Sequence, residues 1–148
     1  MHRRHATAFA AALLLTACAE ELPAWVEGGS TDSVDWSDGD SGEIDGEPFR
    51  LANVDSPETG PVGSPTGAKC ESERQLGYAA GAFMRDLSDG ERVRVTREYD
   101  EDGYGRRVLE MEIDGRSVAA IGIDAGYLAP WPHDQETGRA LTAKPSWC

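Results

Sequence analysis

Basic residues are scarce in this sequence, which has 14 lysines and arginines against 27 aspartates and glutamates. The formal net charge of -13 gives a surface that repels a polyanion on average, which argues against an ordinary nucleic-acid binder with a positive face. The charge is uneven, because residues 27–58 contain ten acids and one base, Arg50, whereas residues 85–107 contain six arginines. An arginine among so many carboxylates is suited to holding a cation and an anionic group together.

A long apolar run is also missing, so no segment predicts a membrane-spanning helix in the mature chain. Residues 1–17 have a short basic start, with Arg3 and Arg4, followed by an apolar stretch over residues 8–15 that is too short to span a bilayer. This pattern predicts an export signal over residues 1–17. Its removal would leave 12 basic residues against 27 acidic ones, since those seventeen residues hold two arginines and no acids.

The signal ends in LTAC, residues 15–18, which resembles the lipobox of bacterial lipoproteins. The resemblance implies that Cys18 is lipidated at the first mature position. It also implies an exported protein anchored at the cell envelope, in the outer membrane or facing the periplasm if the cell has an outer membrane. A plain signal peptide with an incidental cysteine is the alternative.

Cysteine is rare as well, with Cys18, Cys70 and Cys148 the complete set. If lipid takes Cys18, an even pair remains in an oxidising compartment, so a disulfide between Cys70 and Cys148 is expected. Such a bridge would tie the last residue of the sequence back onto the domain.

Composition divides the rest of the chain into three parts. Residues 18–32 are acidic, small and interrupted by proline and a glycine pair, which predicts a flexible tether. Short strands with helices between them predict a small β-barrel with attached helices over residues 33–131, of the OB-like class and α+β overall. Residues 132–148 are proline-rich and predict an extended tail, pinned by its cysteine and by Trp147.

Local patterns predict the individual elements. Alternating apolar residues around Asp45-Gly46 predict a β-hairpin over residues 41–53. Apolar residues three or four apart predict a helix over residues 72–87, and Ser117 is a suitable N-cap for a short helix over residues 117–125. The remaining predicted elements are a loop over residues 59–66 and strands over residues 92–99 and 108–113.

No histidine or cysteine cluster offers a zinc site, whereas several carboxylates lie at turns and hairpin edges. Carboxylate oxygens are the hard ligands that Ca²⁺ and Mg²⁺ prefer. Guanidinium groups beside such a metal can grip a phosphate and neutralise the charge that develops on phosphorus. In a chain with 27 acids, the alternative is that most of these carboxylates simply face water. The candidates are Asp38, Asp40, Asp55 and Glu58, together with Arg50 and Arg106.

The stretch DGDSGEIDGEPFRLANVDSPETG over residues 38–60, with GYGR over residues 103–106, is similar to the staphylococcal nuclease-like (thermonuclease) family. The resemblance covers roughly residues 34–128 and implies that family's barrel with attached helices. Gly42 and Gly122 stand where the family usually has apolar residues, so looser packing is expected at both. The family's long last helix is missing after Leu128.

The resemblance also implies a calcium site. Asp40 and Asp55 would bind Ca²⁺ through their carboxylates, and Ser56 would bind it through its backbone carbonyl. Asp38 would orient water on the metal.

The same resemblance implies the groups that act on the substrate. Glu58 would activate the attacking water, Arg50 and Arg106 would grip the scissile phosphate, and Tyr104 would contact a substrate phosphate. The implied function is calcium-dependent hydrolysis of DNA or RNA by a monomeric endonuclease that leaves 3′-phosphate ends, acting on single-stranded or frayed nucleic acid. A non-catalytic OB-like module that binds nucleic acid or a protein partner is the alternative.

Overall fold

The computed structural model describes residues 26–134, 136–137 and 139–148. The predicted signal peptide, the predicted lipidation site Cys18 and most of the predicted tether lie outside these residues. Within them, no helix combines the length and apolar character needed to cross a membrane.

One mixed sheet and two helices form the described part of the fold. The sheet has seven strands in the order β1-β6-β7-β4-β3-β2, with β8 paired to β7. The pairing of β4 with β7 is parallel and the others are antiparallel, while β5 and β9 form a separate antiparallel pair. The elements are β1 Ser30–Thr31, β2 Asp35–Trp36, β3 Ser41–Ile44, β4 Glu47–Leu51, β5 Val54–Asp55, α1 Glu71–Ser88, β6 Val93–Tyr99, β7 Arg107–Ile113, β8 Arg116–Ser117, α2 Val118–Asp124 and β9 Ala129–Pro130.

The locally predicted elements are confirmed. In the first hairpin, Asp45 and Gly46 have φ values of 54° and 82°, the positive φ that a two-residue hairpin turn requires at both positions. The second hairpin is formed by β6 and β7, and α1 covers the predicted helix over residues 72–87. At the start of α2 the Ser117 side chain accepts a hydrogen bond from the backbone N–H of Ala120, as an N-cap does.

The core lies where alternate side chains of the sheet meet the helices. On β4, Phe49 is 0% exposed and Leu51 is 1% exposed, so the residue between them faces the opposite way. The Trp36 and Phe49 rings meet edge to face at 5.2 Å, and the Trp36 indole N–H donates to Ser88 Oγ at the end of α1. The buried cluster consists of Trp36, Ile44, Phe49, Leu51, Val54, Met84, Val93, Val95, Leu109, Met111, Ile113, Val118 and Leu128.

The sheet differs from the sequence expectation in its closure and in the residue where it begins. The α+β class is confirmed, but the strand ladder does not close into a barrel in the described residues, because β1 and β2 stand at its two edges. The sheet also begins earlier than residue 33. Ser30 and Thr31, expected in the tether, pair with β6, because the backbone groups of that edge strand find partners there.

The expectation of looser packing at Gly42 and Gly122 is wrong. Gly42 pairs with β2 on one side and β4 on the other, and a Cβ added to it would overlap the backbone carbonyl of Asp35. A Cβ at Gly122 would overlap the Leu128 side chain. Both glycines therefore permit close approach rather than leave space.

We expect Gly42→Ala to destabilise the protein by about 1–3 kcal/mol, because the overlapping atom belongs to the backbone and cannot rotate away. Chemical unfolding measures the change. Gly103→Ala is the matched control, since an added Cβ there has no atom within 4 Å, and it should change stability by less than about 0.5 kcal/mol. Equal effects of the two substitutions would contradict the close-approach explanation.

Candidate active site

Neighbouring stretches of backbone bring Asp40, Arg50 and Asp55 together. Asp40 precedes β3, and its carbonyl accepts a hydrogen bond of 2.7 Å from the N–H of Leu51, which ties it to the end of β4. Arg50 lies between the buried Phe49 and Leu51, so strand alternation directs it away from the core. Asp55 ends β5, which returns immediately after β4.

The Arg50 guanidinium lies between two buried carboxylates. Its Nη2 is 3.2 Å from Asp40 Oδ2 and 3.7 Å from Asp55 Oδ1, and it also donates to the Val54 carbonyl at 3.0 Å. Asp40 is 3% exposed and Asp55 is 1% exposed. A single guanidinium offsets one of these two negative charges, so the pair retains a demand for further positive charge.

The surroundings of Asp40 also change the pKa of its carboxyl. Burial raises the pKa of its carboxyl from 3.8 to about 7, although the Arg50 charge works in the opposite direction. The negative charges of Asp38 and Asp55 raise it further. A second cation beside Asp40 would favour the ionised form.

We expect the metal-free protein to lose stability as the pH rises from about 4 to about 7. The folded state keeps a proton on Asp40 up to a pKa of about 7, whereas the unfolded chain releases it near 3.8, so folding binds a proton in that window. The slope for one such group approaches about 1.4 kcal/mol per pH unit. Urea unfolding with a chelator present measures it, and Asp40→Asn should flatten the slope. Parallel curves for the two proteins would contradict the assignment.

Ser56 and Asp38 hold the Asp40 side chain and its turn in place. The backbone N–H of the buried Ser56 donates to Asp40 Oδ2 at 3.0 Å. Asp38 Oδ1 accepts from the backbone N–H groups of Asp40 and Ser41, at 3.0 and 2.8 Å, and from the Ser41 hydroxyl. Asp38 therefore supports the turn that carries Asp40, and its action on metal-bound water stays a prediction.

Glu58 lies at the entrance of the same site, with its side chain 36% exposed. Its carboxylate accepts a hydrogen bond of 2.7 Å from Lys144 Nζ. Its backbone N–H donates at 3.4 Å to Glu73, a buried carboxylate of α1 that also accepts from the Lys69 N–H at 2.6 Å. Sequence reasoning missed both Glu73 and Lys144. Only the position of Glu73 in the first turn of α1 could have drawn attention to it.

Arg106 lines the same cleft from the loop between β6 and β7. Its Nη2 and Nε are 2.7 and 2.8 Å from Asp102 Oδ2, so its ion pair is with Asp102 rather than with the Asp40 and Asp55 pair. Burial would raise the pKa of Asp102, but hydrogen bonds from Arg106 and Tyr104 lower it overall. Tyr104 is 81% exposed, and its ring centroid is 5.4 Å from the Arg106 Cζ.

The C-terminal tail returns to the site, which the sequence did not predict. Asn53 holds its beginning, because its carbonyl accepts from the Trp131 N–H at 2.8 Å and its Oδ1 accepts from the His133 N–H at 3.1 Å. Near its end, the Trp147 indole N–H donates to Asp55 Oδ2 at 3.0 Å. The tail therefore forms one wall of the site instead of merely being pinned to the domain.

The final residue is joined to the start of α1 by a disulfide. Cys70 and Cys148 are bonded, with their Cα atoms 6.0 Å apart, which is the pair expected from the cysteine count. Their sulfurs and a Glu73 oxygen lie within 4.8 Å of one another, but bonded sulfurs are not available as metal ligands. The bridge thus attaches the C-terminal segment to the start of α1.

Lys144 supplies the further positive charge that the buried carboxylates require. Its Nζ is 3.3 Å from Asp55 Oδ1 and 2.7 Å from Glu58 Oε1. Partial burial would lower the pKa of Lys144, but the hydrogen bond to Glu58 and the Asp55 charge raise it overall. The side chain is therefore an ammonium ion.

One cleft of about 1040 Å³ is lined by Asp40, Arg50, Glu58, Arg106 and Lys144. The buried Asp55 contacts this lining through Arg50 and Lys144. The donor set suits Ca²⁺, since Asp40 and Asp55 offer hard carboxylate oxygens close to one another around Arg50. Neither imidazole nor thiolate joins them among the described residues, so zinc is not the ion that this donor set fits. The cleft therefore contains a buried carboxylate, a carboxylate at its entrance and two arginines.

Comparison with known proteins identifies the family. The model described as staphylococcal nuclease homologue matches residues 48–139, well over half of the chain. A comparison with curated proteins finds no match. Asp38 and Asp40 precede the matched range, and the sheet brings Asp40 to Arg50 within it. The predicted site residues inside the range are Arg50, Asp55, Ser56, Glu58, Tyr104 and Arg106. With most of its length matched, the chain belongs to the staphylococcal nuclease homologue family.

Proposed function

We propose that this protein is a calcium-dependent nuclease that hydrolyses phosphodiester bonds of DNA or RNA. The observation that supports this most strongly is a single cleft lined by the buried Asp40, the entrance carboxylate Glu58 and the arginines Arg50 and Arg106, with the buried Asp55 in contact with Arg50. A module that only binds has no need for an exposed carboxylate beside two phosphate-binding groups. The arrangement therefore favours catalysis over the binding-module alternative.

The cation would be held by Asp40, Asp55 and the backbone carbonyl of Ser56. When bound, it supplies positive charge beside the phosphate. The buried Asp55 keeps its carboxylate in place through Arg50 and Trp147, so the ligand geometry is preorganised.

The other residues act on water and phosphate. Glu58 is partly exposed and can take a proton from the attacking water as a general base. Arg50 and Arg106 both line the cleft, and their guanidinium forks can pair with the phosphate oxygens as negative charge builds on them. The bond to the 5′-oxygen breaks, which leaves a 3′-phosphate end on the product.

Substrate entry fits a single strand or a frayed end. The loop between β6 and β7 carries the exposed Tyr104 beside Arg106, where a phosphate or a base of a flexible strand can reach both. We infer that local arginines recruit the strand, because the net charge of -13 provides no general attraction.

We also infer that the protein works outside the cytoplasm as a lipid-anchored monomer. The signal pattern of residues 1–17 and the LTAC sequence that ends in Cys18 support export and anchoring. The disulfide between Cys70 and Cys148 supports an oxidising compartment.

A cleavage assay tests the proposal. The full-length protein is incubated with single-stranded DNA or RNA, with added calcium or with a chelator, across a range of salt concentrations. We expect cleavage only with calcium and products that carry 3′-phosphates. Absence of metal-dependent cleavage at every salt concentration would refute the proposal.

A further inference from the structure

The C-terminal segment, residues 139–148, covers the carboxylates that would bind calcium. Lys144 Nζ contacts Asp55 Oδ1 at 3.3 Å and Glu58 Oε1 at 2.7 Å. The Trp147 indole N–H donates a hydrogen bond to the other Asp55 oxygen, Oδ2, at 3.0 Å. Both oxygens of a proposed metal ligand therefore already have hydrogen-bonding partners from this segment.

Lys144 has a positive charge, as the proposed divalent cation would. Asp40 and Asp55 are buried and share the Arg50 guanidinium, and the Lys144 ammonium adds the next positive charge beside Asp55. A divalent cation bound to Asp55 at coordination distance would approach the ammonium closely. Two like charges that compete for the same oxygen repel each other, so occupancy by one disfavours the other.

Several contacts keep Lys144 in this position. Cys148, which is four residues beyond Lys144, is fixed to Cys70 by the disulfide. The Trp131 ring lies 5.7 Å from Lys144 Nζ, and its indole N–H donates to the Thr142 carbonyl at 3.2 Å. The ammonium is thus held near the carboxylates at a high effective concentration.

We propose that Lys144 is a tethered competitor of the divalent cation and that the Cys70–Cys148 disulfide keeps it in competition. Calcium binds by displacing the ammonium from Asp55 and Glu58, so the C-terminal segment sets the calcium affinity of the site. This inference rests on the calcium site of the proposed function.

Calcium titration of the full-length protein by calorimetry tests the inference without any substrate. Lys144→Met removes the ammonium and keeps the length of the side chain, and it should lower the calcium Kd roughly tenfold. Lys69→Met is the matched control, because it removes the same charge from an exposed residue next to Cys70. It should leave the Kd within about twofold, since the charge of an exposed side chain is screened by water and salt.

The disulfide is tested by replacing Cys70 and Cys148 together with serine. This pair of changes should also lower the calcium Kd, because it releases Lys144 from the site. Added to Lys144→Met, it should lower the Kd little further, since both changes remove the same competitor. Circular dichroism checks that each variant is folded.

The outcomes separate this inference from the proposed function. A Kd for Lys144→Met equal to that of Lys69→Met would overturn the inference, even if calcium-dependent cleavage is observed. Tighter calcium binding by Lys144→Met without cleavage of any substrate would support the inference and refute the nuclease function. No calcium binding by either variant would overturn the inference together with the metal site.

Discussion

Replacing Glu58 with glutamine should lower kcat on single-stranded DNA by about 10²–10⁴-fold, the range that a positioned general base contributes. Glutamine keeps the size of the side chain and can still accept the hydrogen bond from Lys144 Nζ, which is 2.7 Å from Glu58 in the wild-type protein. It cannot take a proton from water. Steady-state kinetics at saturating calcium measures the loss, and KM should change little because binding of the phosphate is left to the arginines.

Glu43→Gln is the control for this result. Glu43 is an exposed carboxylate of β3 outside the cleft, so its neutralisation changes the net charge equally and should leave kcat unchanged. A fall in kcat of less than about threefold for Glu58→Gln would remove Glu58 from the chemistry and assign the role of base to another group.

Replacing Arg50 with methionine should have two large effects. Cleavage should fall at least about 10³-fold, because a guanidinium that meets the charge on phosphorus is lost. The metal-free protein should also lose roughly 3–5 kcal/mol of stability, since the buried Asp40 and Asp55 lose their bridging cation. The free energy of unfolding by urea, with chelator present, measures the second effect.

Calcium separates the two effects of Arg50→Met. A cation bound by Asp40 and Asp55 should restore part of the stability without restoring cleavage, since a ligand of the folded state stabilises by mass action. Arg94→Met is the control, because Arg94 is exposed and pairs with Glu112 on the sheet away from the cleft, so neither property should change much. Unchanged stability of the metal-free Arg50→Met protein would contradict the bridging role.

The parts of the fold that the sequence predicted are those with local signals. The first hairpin follows from Asp45-Gly46, and α1 follows from apolar residues spaced three or four apart, because both depend on neighbours along the chain. Arg50 lies on the second strand of that hairpin and Glu58 follows it closely along the chain, and both line the cleft.

The parts that the sequence did not predict depend on distant contacts. Lys144 and Glu58 are 86 residues apart, and the sequence around Lys144 has no periodicity that would place it on an element. The tight packing of Gly42 was likewise invisible, since it depends on β2 passing close to β3. Local patterns describe one segment at a time, whereas these features arise where two segments meet.

The attachment of Cys148 to Cys70 has a practical consequence for purification. Any affinity tag fused after Cys148 begins two residues beyond Trp147, whose indole N–H is 3.0 Å from Asp55 Oδ2. A polyhistidine tag would thus deliver imidazoles to the rim of the cleft, where they bind nickel or zinc and bring foreign ions beside the carboxylates. Metal preferences measured on such a fusion would describe the tag as much as the protein.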